Sequence, residues 1–216
     1  KNTTWDLAKF EVCGHHWADV NEFGFGVALL NDCKYGYSCE ENVLRLSLLR
    51  SSKQPDATAD MGMQAFKYGL LAHAGNHADA QLARRGLEFN VPLRLTPSEP
   101  SAIVRSFFEV DPSTTPSLVL ETVKLPENSP ADKPTFLQAQ GGQWIILRLW
   151  ESAGARGHAK ISTSLNIKQL IHLNILENPV ADSNKTLRFT AVPGASSTLD
   201  IAFLPFEVIT IACKIE

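Results

Sequence analysis

The sequence predicts an all-β protein, and three observations carry that prediction. Short runs rich in β-branched and apolar residues recur between turn signals, and almost no segment sustains a helical period. A Pro-, Ser- and Thr-rich segment then parts the runs into two groups. Short strands at this spacing suit sandwiches.

In chain order, the strand-like runs are residues 10–13, 26–31 ("GVALLN"), 43–50 ("VLRLSLLR"), 64–72, 101–110, 118–124, 144–151 ("WIILRLWE"), 158–164, 187–191 and 208–214 ("VITIACK"). Breakers separate them at 34–42, 51–62, 75–77 and 125–142, the last holding Pro126, Pro130, Pro134 and Gly141-Gly142. "HADAQLARRGLEFNVPL" is the stretch with helical character: Ala78, Leu82, Ala83 and Leu87 share a face for a turn or two, and Gly86 is expected to end it. Residues 166–178, with Ile, Leu and His on both parities, read as a strand with a bend. "DPSTTPS", 111–117, marks the boundary, giving units of 1–112 and 116–216. Lys1 stands only a few residues before the first strand and is not Met, so the chain is expected to be cut from something longer, with further strands upstream.

Bulk properties exclude several partners. With 216 residues, 44% of them apolar, the chain can fill a real core. A net charge of -3 and a pI near 6.1, with no basic block, argue against nucleic acid. No apolar run reaches the ~20 residues that cross a bilayer, and no signal-like stretch follows Lys1. Cys13, Cys33, Cys39 and Cys213 form no CxxC pair and are expected to be reduced and buried, although Cys33 and Cys39 could bridge across a hairpin. Few cysteines and no signal point to the cytoplasm. The sequons at Asn2 and Asn184 leave a vacuolar or lysosomal route open.

Chemistry is thinly marked. His15 and His16, if on a strand, point to opposite faces and cannot share a metal. His73 and His77 have helical spacing, but Gly75 between them favours solvated loop histidines, while His158 and His172 stand alone. No nucleophile elbow, P-loop, dinucleotide fingerprint or Cys with an evident base is present. Carboxylates for glycosidase-type roles exist at Asp19, Glu22, Asp32, Glu40, Glu41, Asp56 and Asp60, each reading first as a solvated loop group. Spacing alone shows no pair at the ~5–9 Å such hydrolysis needs. The four tryptophans, Trp5, Trp17, Trp144 and Trp150, read as core.

The run "WDLAKFEVCGHHWADVNEFGFGVALLNDCKYGY", followed by "LRLSLLRSSKQPDATADMG", "VLETVK" and "ILRLWESAGARGHAKI", resembles the C-terminal β region of α-mannosidases of glycoside hydrolase family 38, in its cytosolic and vacuolar branch. The likeness runs from Trp5 to the closing "LPFEVITIACKI", and "GVALLNDCKYGY" with "LSLLRSSKQPDATAD" is its most specific part. It implies that residues 1–112 are the C-terminal part of a large central sandwich and 116–216 a small terminal sandwich. The parent would be a retaining exo-α-mannosidase acting on mannosyl-oligosaccharides. Its zinc- or cobalt-type ion and Asp nucleophile would lie in an N-terminal domain, with no catalytic or metal-binding residue in this chain.

The resemblance also implies site residues. A loop of this region reaches the active-site mouth in family members, and residues 21–26 resemble it, which makes Asn21, Glu22 and Gly24 substrate-proximal candidates. The polar cluster after the apolar run reads first as a turn at the sandwich rim; in a functional version Asp32, Lys34 or Tyr35 steadies the catalytic domain or touches a sugar hydroxyl. His16 is a further candidate. Family members usually carry His-Arg before an aromatic residue where this chain has His15-His16-Trp17, so an ion pair made by that Arg is missing or pH-dependent. The expected partners are the N-terminal catalytic domain, an α-mannoside and other copies of the chain. The alternative is a stand-alone carbohydrate-binding or assembly sandwich, which would need two indoles side by side on an open face.

Overall fold

The computed structural model describes residues 3–97, 106–111, 115–128, 135–181, 187–190 and 197–215. They form two compact units, Lys1–Pro97 and Ser98–Glu216. The architecture is mostly antiparallel strands in four sheets, as the sequence predicts. Asn2, Asn184 and residues 101–105 and 191 of the expected strands lie outside the described residues.

The first unit contains α1 (Thr4–Ala8), β1 (Val12–Cys13), β2 (Trp17–Glu22), β3 (Phe25–Asn31), β4 (Gly36–Glu40), β5 (Val43–Ser47), β6 (Tyr68–Ala74) and α2 (Leu82–Asn90). Its sheets run β1-β4-β5 and β2-β3-β6. Pairing of Trp17 with Leu30 through Glu22 with Phe25, and of Phe25 with Ala74 through Asn31 with Tyr68, fixes which side chains share a face. One face presents Trp17, Asp19 and Asn21 beside Gly26, Ala28 and Leu30 and then Gly69, Leu71 and His73. The other presents Ala18, Val20, Phe25, Val27, Leu29, Leu70 and Ala72.

Helix α2 covers the first of these faces. Leu82, Ala83 and Gly86 are its buried stripe, and Phe89 packs over Gly69. Gly86 does not end the helix, which continues to Asn90. The reason is contact: a Cβ on Gly86 would stand 2.8 Å from Trp17 Cδ1 and 3.1 Å from the His16 Cβ, so the glycine lets the helix lie against β2.

The second unit contains β7 (Phe108–Val110), β8 (Leu118–Lys124), α3 (Phe136–Gln140), β9 (Gln143–Glu151), β10 (Gly157–Thr163), β11 (Ile167–Leu173), β12 (Leu187–Thr190), β13 (Ser197–Phe203) and β14 (Val208–Ile215). Sheets β12-β13-β10-β7 and β11-β14-β9-β8 face each other across one core, in which Leu147, Leu149, Ile209 and Ile211 meet Ala159, Ile161, Leu199 and Ile201. Strand β7 pairs with β10, so residues 108–110 belong to this second unit and the 111–117 segment lies within it.

The expected loop at 125–142 contains α3. Thr135 and Gln138 form a capping box, with each side chain bonded to the other residue's backbone N–H. Leu137 then closes a second small core with Trp144, Ile146, Leu173 and Ala212 on the outer face of the sheet.

Several sequence expectations are corrected. Strands β2, β4 and β13 form where none was expected. Cys13, Cys33 and Cys39 are free and exposed, and only Cys213 is buried, where burial pushes its thiol up to about 12. Trp5 is 79% exposed on α1, whereas Trp144 is buried with its Nε1–H donating to Gly141 O at 3.0 Å. Trp17 stacks on His77 at 6.0 Å between centroids, so the tryptophans form no exposed indole pair. No helix among the described residues is long and apolar enough to cross a membrane.

Candidate functional site

The expected loop at residues 21–26 is a tight hairpin. Glu22 pairs directly with Phe25, so Phe23 and Gly24 alone make the turn, with Gly24 at φ +84. The Gly24 carbonyl accepts the Gly75 N–H at 3.0 Å, which fastens the turn to the end of the neighbouring strand. Phe23 is fully exposed and Phe25 half-exposed. Glu22 and Asn21 are exposed beside them, so the tip offers an aromatic ring flanked by a carboxylate and an amide.

Below the tip lies a buried polar group. His73 Nε2 stands 3.0 Å from Asp19 Oδ1, and their side chains are only 6% and 4% exposed. Asn21 donates its amide to the second Asp19 oxygen at 2.7 Å. Both His73 and Asp19 are therefore buried strand residues rather than solvated loop groups. The sequence signal was available in retrospect. In "WADVNE" the polar residues Asp19 and Asn21 share a parity with Trp17, which marks a covered face that is partly polar.

The remaining candidates collect at the opposite end of the hairpin. Strand β2 is six residues long, which sets His16, Asp32, Lys34 and Tyr35 roughly 16 Å from Asn21, Glu22 and Gly24 at ~3.3 Å per residue. His16 sits in a bend at φ +64, not on a strand, and its carbonyl accepts the Asn31 N–H at 2.9 Å. Its neighbour His15 stacks on Tyr35, with ring centroids 4.3 Å apart.

Asn31, fully buried, is the hub of this end and was missed by sequence reasoning beyond its turn preference. Its side-chain oxygen accepts the Lys34 N–H at 2.9 Å, its amide donates to the Tyr37 hydroxyl, and its own carbonyl accepts from Asn90 Nδ2 at 2.9 Å. Asp32 accepts the Lys67 N–H at 2.9 Å and returns its own N–H to Lys67 O at 3.2 Å. That Lys67 bond, with the Cys33 thiol, holds the Asp32 carboxyl below the usual range, and the same carboxylate pushes the Cys33 thiol up. Lys34 extends over the Phe66 ring, 5.3 Å from its centroid, and borders an open cleft of about 730 Å³ with Lys9, Phe10, Glu11, Arg50 and Asp60.

Two buried carboxylates of the second unit, Glu151 and Glu177, are held by the fold itself. Glu151, 1% exposed, accepts N–H bonds from Ala153, Gly154 and Phe206. Burial pushes its carboxyl up, but the Phe206 N–H, the Ser117 side chain and the Ala153 N–H outweigh it and hold it at about 2. Buried Glu177 pairs with Lys124 at 2.8 Å and accepts the Glu127 N–H at 2.8 Å. Among the described residues no three His, Cys, Asp or Glu side chains converge as metal ligands would.

Comparison with known proteins bears on the family and the fold. The chain matches the glycosyl hydrolases family 38 C-terminal domain over residues 1–58 and the glycosyl hydrolases family 38 C-terminal beta sandwich domain over residues 117–211. It is 39% identical over 215 residues to alpha-mannosidase 2C1 of Homo sapiens, covering 100% of this chain and 19% of that protein. It is 37% identical over 209 residues to an alpha-mannosidase of Saccharomyces cerevisiae, covering 96% and 19%. Alpha-mannosidase G of Dictyostelium discoideum is 35% identical over 217 residues, covering 97% and 18%. The chain thus spans about a fifth of the length of these curated relatives. A crystal structure of an alpha-mannosidase from Enterococcus faecalis shares the fold, with a TM-score of 0.64 at 16% identity over 95% of this chain and 21% of that one.

Proposed function

This chain belongs to glycoside hydrolase family 38, as its C-terminal β region, and from that premise we propose that it serves an α-mannosidase that releases terminal α-mannose from mannosyl-oligosaccharides. It supplies scaffold, an interdomain surface and one wall of the active-site mouth, while the acid–base, nucleophile and zinc- or cobalt-type chemistry belongs to the N-terminal catalytic part of that enzyme. The observation that carries this reading is the β2–β3 hairpin, whose tip sets the fully exposed Phe23 between Glu22 and Gly24. An aromatic ring beside hydrogen-bonding groups suits a pyranose, which presents an apolar face and a rim of hydroxyls.

The outer face of the same sheet supports the interdomain role. Leu70 is 76% exposed and Phe25 half-exposed beside Ala72 and Val27, apolar area of the kind that another part of the enzyme covers. Three free exposed thiols fit a reducing compartment, the cytoplasm rather than a vacuolar or lysosomal lumen.

The test is nitrophenol release from a nitrophenyl α-mannoside, together with mannose release from an oligosaccharide. The 216-residue chain alone is expected to be inactive with zinc or cobalt added. In the full-length polypeptide Phe23→Ala and Glu22→Gln are expected to raise KM for the oligosaccharide roughly five- to fiftyfold. Activity of the 216-residue chain, or silence of both variants, overturns the reading.

A further inference from the structure

We propose that His73 and Asp19, joined across Gly26, form a polar strap that holds the β2–β3 hairpin at the angle the sugar requires, which makes both of them positioning residues for the mannosidase. The inference rests on the reading of the hairpin given above. Strands β2 and β6 are the two edges of their sheet and share no backbone hydrogen bonds, since β3 lies between them. Asn21, Gly26 and His73 occupy one row across the three strands, just below the tip.

The imidazole crosses that row. It leaves β6 at His73, passes over Gly26 and reaches Asp19 on β2, with Nε2 at 3.0 Å from the carboxylate. A Cβ on Gly26 would stand 2.4 Å from His73 Cε1, 2.6 Å from its Nε2 and 2.9 Å from the Asn21 Cβ, so the glycine is what leaves room for the ring. Asp19 turns its second oxygen to the Asn21 amide, which ties the strap to the residue next to Glu22. On the other side, the Gly75 N–H bond to Gly24 O closes the frame from the β6 end. The tip is therefore held from both sides, while Phe23 at its end is fully exposed.

A buried histidine–carboxylate pair is a weak source of stability, because desolvation offsets most of its attraction and an apolar pair of equal volume does as well. It is a stronger source of geometry, since a hydrogen bond between two buried side chains fixes the separation of the strands that carry them. Its place at the base of a solvent-projecting hairpin assigns it to orientation rather than to the core.

The experiment uses the full-length polypeptide and compares Gly26→Ala, His73→Ala and Asp19→Asn with the tip variants Phe23→Ala and Glu22→Gln. Three quantities are read: melting temperature, KM and kcat on the oligosaccharide, and amide exchange of residues 22–25. Gly26→Ala and His73→Ala are expected to raise KM roughly five- to fiftyfold with kcat changed less than about twofold. The tip amides should exchange about tenfold faster. Asp19→Asn keeps one oxygen that accepts from Nε2 but sets an NH2 against the Asn21 amide, so its KM is expected to rise less than that of His73→Ala. A pair that only stabilises the fold would lower the melting temperature in all three variants and leave KM and tip exchange alone, and that result sinks the strap. If either tip variant raises KM and the strap variants do not, the strap is wrong and the hairpin reading stands. If Phe23→Ala and Glu22→Gln are also silent, the hairpin reading itself fails and the strap with it. Should His73→Ala fail to fold, Gly26→Ala and the exchange data decide alone.

Discussion

The two units bury their sheets in different ways. In the second, the inner faces of two four-stranded sheets meet in one core, and α3 closes part of the outer face of one sheet as well. In the first, α2 covers one face of β2-β3-β6, and the opposite face is open at Leu70 and half-open at Phe25 while Leu29 and Asn31 on it are buried. The covered face is also unlike a core, since it contains the Asp19–His73 pair among Ala28, Leu30 and Leu82. A sheet that closes on a partner sheet needs only apolar alternation. The sheet of the first unit instead carries polar groups on its covered face and apolar Leu70 on its exposed one.

The largest expected effect breaks that comparison at its core. Ile211→Ala, in the centre of β14 and fully buried, should cost about 2–5 kcal/mol in chemical denaturation, because both its transfer energy and the cavity it leaves count against the fold. If the loss is under about 1 kcal/mol, the second unit is not the closed body described here.

Glu151 comes next. Its folded value of about 2 lies below the ordinary 4.5, so its stabilisation is complete above pH 4.5 and is lost as pH falls from there toward 2. That difference corresponds to about 3 kcal/mol at neutral pH. Glu151→Gln should remove most of it and flatten the acid limb of the stability curve between pH 4.5 and 2. An unchanged acid limb would mean that the N–H cage around the carboxylate does not form. The Asp32 carboxyl, held low by the Lys67 N–H, acts in the same direction.

How much of this was legible follows the same division. Strands such as β8, β9 and β14 alternate or run apolar between clear breakers, and the sequence placed them within a residue or so of their bounds. Strand β13 was lost although its burial alternates strictly, because Asp200 interrupts an otherwise apolar text. Helix α3 was lost to its Pro-rich surroundings, though Thr135 and Gln138 spell a capping box. Strand β2 was lost for a deeper reason: its covered parity holds Asp19 and Asn21, and only the pairing register with β3 and β6 shows that these meet His73. The resemblance singled out residues 21–26, which fold as the turn of a hairpin, whereas the exposure of Phe23 and the pairing of Asp19 with His73 emerge only when turn length and strand register are known. His16, Asp32, Lys34 and Tyr35, candidates from the His-His-Trp motif and the polar cluster, lie at the far end of the same strands from residues 21–24.

Gly86→Ala sharpens the comparison from the helix side. On an exposed helix the change would gain about 1 kcal/mol of propensity. Here the new methyl meets Trp17 Cδ1 at 2.8 Å and the His16 Cβ at 3.1 Å, and His16 is held by its own backbone bond to Asn31. Overpacking of this kind costs about 1–3 kcal/mol, so a net loss of about 1 kcal/mol is expected. A gain would show that α2 rests on β2 less closely than the contact implies.

Leu70→Ser is the smallest and the most discriminating change. Leu70 and Ile211 are both apolar side chains on central stretches of strand, yet Leu70 is 76% exposed where Ile211 is fully buried. In the 216-residue chain Leu70→Ser should alter stability by no more than about 0.5 kcal/mol, since almost no apolar area leaves water at that position. In the full-length polypeptide the outcome depends on whether the outer face of β2-β3-β6 is covered. A loss of about 1.5–3 kcal/mol there, absent from the isolated chain, is what burial against another part of the enzyme predicts. Equal silence in both would leave that face as open surface, and its apolar character would then have to be explained by something other than the enzyme's own interior.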